Sequence, residues 1–264
     1  MRVDLHNHTI LCNHASDELE DYIKKAIELK IDVYGVSCHA PMNFDPKYRM
    51  DISDKSTYEK SVLELQEKYK QDIKVLLAYE VDYLKGDYIL DEVLNAKVDY
   101  LIGSIHFLNN NGDEWGFDNP EFIGEYENQN IDNIWQDYFD TVEAMAKYNK
   151  FDIVGHLDLI KVFKFLPKKD IKSIAYNSLK AIKKSNMVLE INSAGFRKPI
   201  KEQYPSRPLL ELAYELDIPI TFGSDAHSAE QVGFKYEEVS SLAKDIGYTK
   251  CAIFSQRDKE LVNI

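Results

Sequence analysis

Asp4-Leu5-His6-Asn7-His8 sets two imidazoles two positions apart, in a short run that opens at Val3. On a strand, residues two apart point to the same side. The run therefore predicts His6 and His8 projecting together from a strand's carboxyl end. Two imidazoles held that way are half of a metal site, although taken alone the pair reads equally well as surface histidines. The other histidines, His14, His39, His106, His156 and His227, decide the matter. None falls in a predicted helix. Apart from His14, in the first loop, each lies at or just past the end of a predicted strand, as do Glu80 and Asp225. One histidine in such a place is more simply a packed structural residue, but all seven on one rim point to metal. A zinc ion takes four ligands. These imidazoles and two carboxylates therefore suit two or three ions, with a carboxylate such as Glu80 able to bridge. Mixed imidazole and carboxylate donors favour Zn, Fe or Mn over Ca or Mg.

The elements that must position these residues alternate along the chain. Strands are predicted over 1–6, 32–38, 73–81, 98–105, 151–155, 187–193 and 218–223, with a last short one over 249–254. Helices are predicted over 17–30, 55–70, 88–96, 131–148, 170–184, 209–216 and 230–246. The warrant is helical spacing of apolar residues, as in Leu19, Tyr22, Ile23, Ala26 and Ile27. The segment 107–130, with Asn109, Asn110, Asn111, Gly112 and Trp115, reads as a long loop over one face. Strand–helix alternation implies βαβ units and a parallel sheet. About seven such units favour a closed barrel, whose active sites are built on the carboxyl rim. No Gly-, Ser- or Pro-rich linker divides the chain, so 1–264 reads as a single α/β domain.

With 264 residues, 44% hydrophobic and 29% charged, the chain can bury a substantial core. No apolar run approaches the roughly 20 residues that span a bilayer, and the opening shows no charged-then-apolar leader. No membrane association is expected. Cys12, Cys38 and Cys251 are odd in number and far apart, which suits a reduced, cytoplasmic protein. The net charge of −13, from 45 acidic and 32 basic residues, argues against a nucleic-acid partner. It also means that an anionic substrate would need a strong local positive field, for which bound divalent cations are the natural source.

The motifs DLHNHT at 4–9 with His14, SCHAP at 37–41, YEVDY at 79–83, SIHFL at 104–108, GHLDL at 155–159 and SDAH at 224–227 resemble the polymerase and histidinol phosphatase (PHP) superfamily. Length and the NSAGFRK run at 192–198 are most similar to its histidinol-phosphate phosphatases. That resemblance implies a distorted (β/α)7 TIM-like barrel with a trinuclear metal centre. It implies that His6, His8, Glu80 and Asp225 hold one ion. Glu80 would bridge to a second ion held with His106 and His156, and His14, His39 and His227 would hold a third. It implies a small-molecule phosphate ester as substrate, with L-histidinol phosphate first and a nucleotide, sugar phosphate or phosphotyrosine as the alternative.

Two metals a few ångströms apart generate hydroxide at neutral pH and clamp the attacking and leaving oxygens of an in-line displacement. Phosphate-monoester hydrolysis, among the slowest uncatalysed reactions, needs that help. Arg197, on the rim after strand six, is the candidate to grip phosphate bidentately. Lys161 and Lys164 are weaker cationic candidates. Asp158 could protonate the leaving alkoxide or support a ligand. Asp4 and Asp82 are expected to orient histidines, and Cys12 and Cys38 to pack near the rim. Asp45, Glu114, Trp115, Glu190 and Tyr204 are candidates to read an imidazole and an ammonium. An amidohydrolase-type barrel also opens with a His-x-His strand but commonly bridges its metals with a modified lysine on strand four. Here that strand ends in Ser104-Ile105-His106. A metal-loaded binding or polymerase-associated module is disfavoured by the completeness of the ligand set.

Overall fold

The computed structural model describes residues 1–110 and 113–264, so Asn111 and Gly112 of the expected loop lie outside the described residues. In chain order the elements are β1 (Val3–Asp4), α1 (Leu19–Glu28), β2 (Val33–Val36), α2 (Lys55–Lys68), β3 (Lys74–Asp82), α3 (Asp91–Leu94) and β4 (Tyr100–Ser104). Next come β5 (Phe107–Asn110), β6 (Asp113–Gly116), α4 (Ile131–Tyr148), β7 (Ile153–Val154), α5 (Ile171–Lys184) and β8 (Val188–Asn192). The chain ends with α6 (Arg207–Glu215), β9 (Ile220–Gly223), α7 (Tyr236–Ile246), β10 (Lys250–Ser255) and β11 (Asp258–Asn263).

Seven strands form one sheet in the order β1-β2-β3-β4-β7-β8-β9, and every adjacent pair is parallel. The edges meet. Leu5 N–H donates to Phe222 O at 2.8 Å, and Asp225 N–H to His6 O at 2.7 Å, closing β9 onto β1. The result is a (β/α)7 TIM-like barrel. Strand residues such as Val33, Val36, Leu77, Ile102, Ile153, Ile191 and Phe222 are buried on both faces, as expected where helices cover a parallel sheet. The helices turn one apolar stripe inward. In α5 that stripe is Ile174, Ala175, Leu179 and Ile182.

Four elements depart most from the sequence expectation. Segment 107–130 is not one loop. β5 and β6 pair antiparallel, and 120–126 form a 3-10 helix. Only 91–94 of the helix expected over 88–96 form, because Ile89 is drawn into a bridge with Met42. The last helix begins at Tyr236, since Gly233 and Lys235 adopt left-handed φ values of 63° and 55° that break the periodic run. The strand expected over 249–254 exists, but pairs with β11 and not with the barrel. This hairpin closes the barrel's amino end. Thr221 Oγ1 donates to Ala252 O at 2.9 Å, and Arg257 N–H to Asp99 O at 2.8 Å. The carboxyl end is left for chemistry.

Candidate metal centre

Each strand delivers its residues to that end. His6 and His8 follow β1, His39 follows β2 and Glu80 lies within β3. His106 follows β4, His156 follows β7, and Asp225 and His227 follow β9. His14 stands just past a 3-10 turn over Ile10–Cys12, with its Nδ1 against Cys12 O at 2.8 Å. Nine residues expected from the sequence therefore converge.

Glu80 is the hub. Its Oε2 lies 3.3 Å from His6 Nε2, 3.6 Å from His8 Nε2 and 3.0 Å from His39 Nδ1. Its Oε1 lies 2.9 Å from His156 Nε2 and 3.8 Å from His106 Nε2. Asp225 Oδ1 approaches His8 Nε2 at 3.0 Å. On the outer side His14 Nε2 and His227 Nε2 are 2.9 Å apart. Burial would raise the Glu80 pKa, but His39, His6 and His156 hold it well below the usual carboxylate range.

Other groups aim the rings. His6 Nδ1 meets Glu190 Oε1 at 2.8 Å, and Glu190 Oε2 accepts the His156 N–H at 2.7 Å and Asn192 Nδ2 at 3.1 Å. Burial alone would depress the His6 pKa, yet Glu190, Glu80 and Asp225 hold it well above its ordinary value. His106 Nδ1 donates to Asp82 Oδ1, whose partner Oδ2 takes both Arg49 Nη1 and Nη2 at 3.0 Å. Burial disfavours charge on His106, but Asp82 outweighs it and raises the pKa to about 10. His227 Nδ1 lies 3.0 Å from Asp225 O. With Nδ1 engaged in this way, Nε2 of His6, His106, His14 and His227 is left to face inward. His156 and Asp225 hold left-handed φ values of 21° and 53°, a backbone cost that concentrates at functional sites.

The donor set fits a cation. His6 Nε2, both ring nitrogens of His8, His39 Nδ1, His156 Nδ1 and Glu80 Oε2 are buried with no hydrogen-bond partner among the described residues. Buried polar atoms are normally satisfied, and a divalent ion between imidazole and carboxylate donors satisfies several at once. His6, His8 and Glu80, and likewise His8, His39 and His227, present ligand atoms within 4.8 Å of one another.

The sequence model of the PHP domain family matches residues 4–194, and that of the PHP-associated family matches 207–246. The chain belongs to the PHP family. One PHP relative, from Deinococcus radiodurans, is 34% identical over 248 residues, covering 92% of this chain and 93% of its own, and is named a probable histidinol-phosphatase. A crystal structure from Listeria monocytogenes is 28% identical with a TM-score of 0.79, covering 90% of this chain and 99% of that one. Histidinol phosphate phosphatase from Lactococcus lactis, solved with zinc, L-histidinol and phosphate, matches at a TM-score of 0.78 and 21% identity, over 98% of each chain. These PHP relatives share the barrel.

The remaining expected site residues are placed as follows. Arg197 lies on the wall of the cavity of about 740 Å³ that opens over the PHP centre, along with Asp45, Glu114 and Tyr204. Lys161 does not meet that cavity. It is buried and spends its ammonium on Asp158 at 3.2 Å and on Glu202 Oε2 and Gln203 O at 2.8 Å. Asp158 is fully buried, and its Oδ2 accepts the Ser206 N–H at 2.9 Å. Burial raises its pKa to about 6 against the pull of Lys161. It is a brace for the 202–206 segment and is not among the residues lining the cavity. Lys164 is exposed. Asp4 orients no histidine. Its oxygens take Ser224 N–H at 2.8 Å, Ser224 Oγ at 2.6 Å and Gly233 N–H at 3.0 Å. Trp115 is buried against Tyr126, with ring centroids 4.8 Å apart. Glu190 lies beneath the centre and not in a reading position. Cys12 and Cys38 are buried, with Cys12 Sγ on Thr9 O at 3.1 Å and Thr9 Oγ1 on Cys38 Sγ at 3.2 Å.

Gly223 shows how tightly this is built. A Cβ there would lie 2.0 Å from Glu190 Oε1 and 2.6 Å from the His6 Cβ. Gly223→Ala is expected to cost about 1–3 kcal/mol through overpacking and to weaken metal binding by moving His6. Thermal melting and metal titration check this; a variant with unchanged melting and metal affinity would show the contact to be compliant.

Proposed function

We propose that the chain, acting over residues 1–264 as one unit, is a metal-dependent phosphomonoesterase that hydrolyses L-histidinol phosphate to L-histidinol and phosphate. His6, His8, Glu80 and Asp225 would hold one ion, Glu80 with His106 and His156 a second, and His14, His39 and His227 a third. When bound, such ions supply a nucleophile at neutral pH and offset phosphoryl charge. Zn, Fe and Mn all suit the donors.

The observation that carries the reading is Arg197. Its Nη2 is pinned to Ser224 O at 2.8 Å and Asp225 O at 2.9 Å, and its plane lies 5.1 Å from the Phe234 ring centroid. Its Nη1 is buried with no partner among the described residues, on the wall of the same cavity as His156 and Asp225. A fixed guanidinium with a free N–H beside a cation centre is an oxyanion grip. The same cavity also suits a cationic aromatic leaving group. Phe44 packs edge-on to Phe107 at 4.8 Å, and Asp45, Glu114 and Asp118 face the same space. The relative from Deinococcus and the ligands of the Lactococcus protein support that substrate.

Arg197→Ala is expected to raise KM by about one to two orders of magnitude, since a charge-assisted hydrogen bond contributes about 1.5–3 kcal/mol. Steady-state kinetics with KM unchanged would remove Arg197 from substrate binding. The proposal as a whole is tested by phosphate release from a panel of esters, with Mn, Zn and Fe each resupplied. L-Histidinol phosphate should be preferred, and a strong preference for phosphotyrosine peptides or nucleotides would overturn the assignment.

A further inference from the structure

Arg197 is not alone on its wall. Tyr204 is 1% exposed, yet its ring borders the same cavity, and its hydroxyl is buried with no hydrogen-bond partner among the described residues. A buried phenol normally finds a partner. The chain also constrains this side chain heavily. Tyr204 N–H donates to Asn192 O at 2.9 Å, and Asn192 N–H to Tyr204 O at 2.7 Å, tying the residue to the end of β8. The Lys161 ammonium holds Glu202 and Gln203 O on one side and stands 5.3 Å from the Tyr204 ring centroid. Gly195 clears the other side, where a Cβ would lie 1.9 Å from Glu202 O and 3.0 Å from Tyr204 Cε2. The ring meets His156 edge-on at 6.5 Å. Arg197 stands on the turn that Gly195 makes possible. The segment after β8 thus folds back so that one loop carries two buried donors without a partner among the described residues, Arg197 Nη1 and the Tyr204 hydroxyl, on side chains that line one cavity.

We infer that Tyr204 is a further substrate-contacting residue, whose hydroxyl donates a hydrogen bond to a phosphoryl oxygen beside the one gripped by Arg197. This rests on the phosphomonoesterase reading and names the second donor of its anion site. A phosphoryl dianion satisfies both orphaned donors at once. The phenol, being neutral, adds a contact without adding charge next to the cation centre.

Tyr204→Phe keeps the ring and the backbone ties and removes only the donor. With the metal-loaded protein, the variant is expected to raise the inhibition constant for inorganic phosphate and the KM for the ester by about tenfold each. Metal content should not change. Because the hydroxyl has no partner among the described residues, the melting temperature should not fall. Unchanged phosphate inhibition and KM would overturn the contact. Loss of metal or of thermal stability in Tyr204→Phe would overturn it too, by showing that the hydroxyl serves the protein's own packing. If the unsubstituted protein neither binds phosphate nor cleaves a phosphomonoester, the proposed function itself fails, and this inference with it.

Discussion

Glu80→Gln is expected to abolish turnover and to lower the metal content of the purified protein, with no recovery when excess Mn, Zn or Fe is supplied. The carboxylate touches five imidazoles, those of His6, His8, His39, His106 and His156. Its two oxygens divide them, three at Oε2 and two at Oε1, so it is placed to join two ion sites. An amide of the same shape carries no charge and offers one acceptor in place of two. Whichever way it turns, an NH₂ group faces imidazole nitrogens that must present lone pairs to a cation. The variant also loses the charge that burial makes expensive and that the surrounding rings stabilise. Losing a supporting group costs about 10–100-fold in metal affinity or activity; losing the shared ligand should exceed that. Metal analysis and single-turnover phosphate release check the result. Near-normal rates in Glu80→Gln would end the model of a shared-carboxylate centre.

The positions of the nine rim residues were legible because they depend on strand ends, and strand ends follow from hydrophobic runs that stop. Each of His39, His106, His156 and Asp225 terminates such a run, so an error of two residues in a boundary does not move it off the rim. The barrel followed from the same alternation. What could not be read was anything set by contacts between segments far apart in sequence. Glu190 reads from sequence as a candidate to meet the imidazole or ammonium, and nothing near it announces that its oxygens serve His6 and the His156 N–H. From sequence alone Lys161 reads as a cationic candidate for the site. In the fold its partners are Glu202 and Gln203, 41 and 42 residues on. Asp158 likewise sits two residues past His156, but meets the 202–206 backbone and is not among the cavity's lining residues. Asp118 and Phe107 carry no sequence signal because the 107–130 segment lacks periodicity, and only the fold brings Phe107 against the distant Phe44. Phe107-Leu108-Asn109-Asn110 shows no apolar–polar alternation and is too short to declare a strand by itself.

Glu190→Gln separates a supporting carboxylate from a shared one. In the native arrangement Oε1 accepts from His6 Nδ1 and Oε2 from the His156 N–H and Asn192 Nδ2. Gln has one oxygen for these two directions. If its NH₂ turns toward His156, donor meets donor at a fully buried backbone N–H, at a cost of about 1–3 kcal/mol. If it turns toward His6, Nδ1 must become the acceptor, the ring proton moves to Nε2, and the lone pair aimed at Glu80 and the cation is lost. Either orientation weakens the site without deleting a ligand. The expected outcome is a fall in metal affinity of about 10–100-fold, with turnover largely restored at saturating metal. Glu80→Gln, by contrast, stays inactive there. Metal titration followed by activity at each occupancy distinguishes the two variants. An unchanged metal affinity in Glu190→Gln would mean that the His6 tautomer is set by something other than this carboxylate. The closeness of Gly223, which leaves no room between Glu190 and His6 for even a methyl group, argues that it is not.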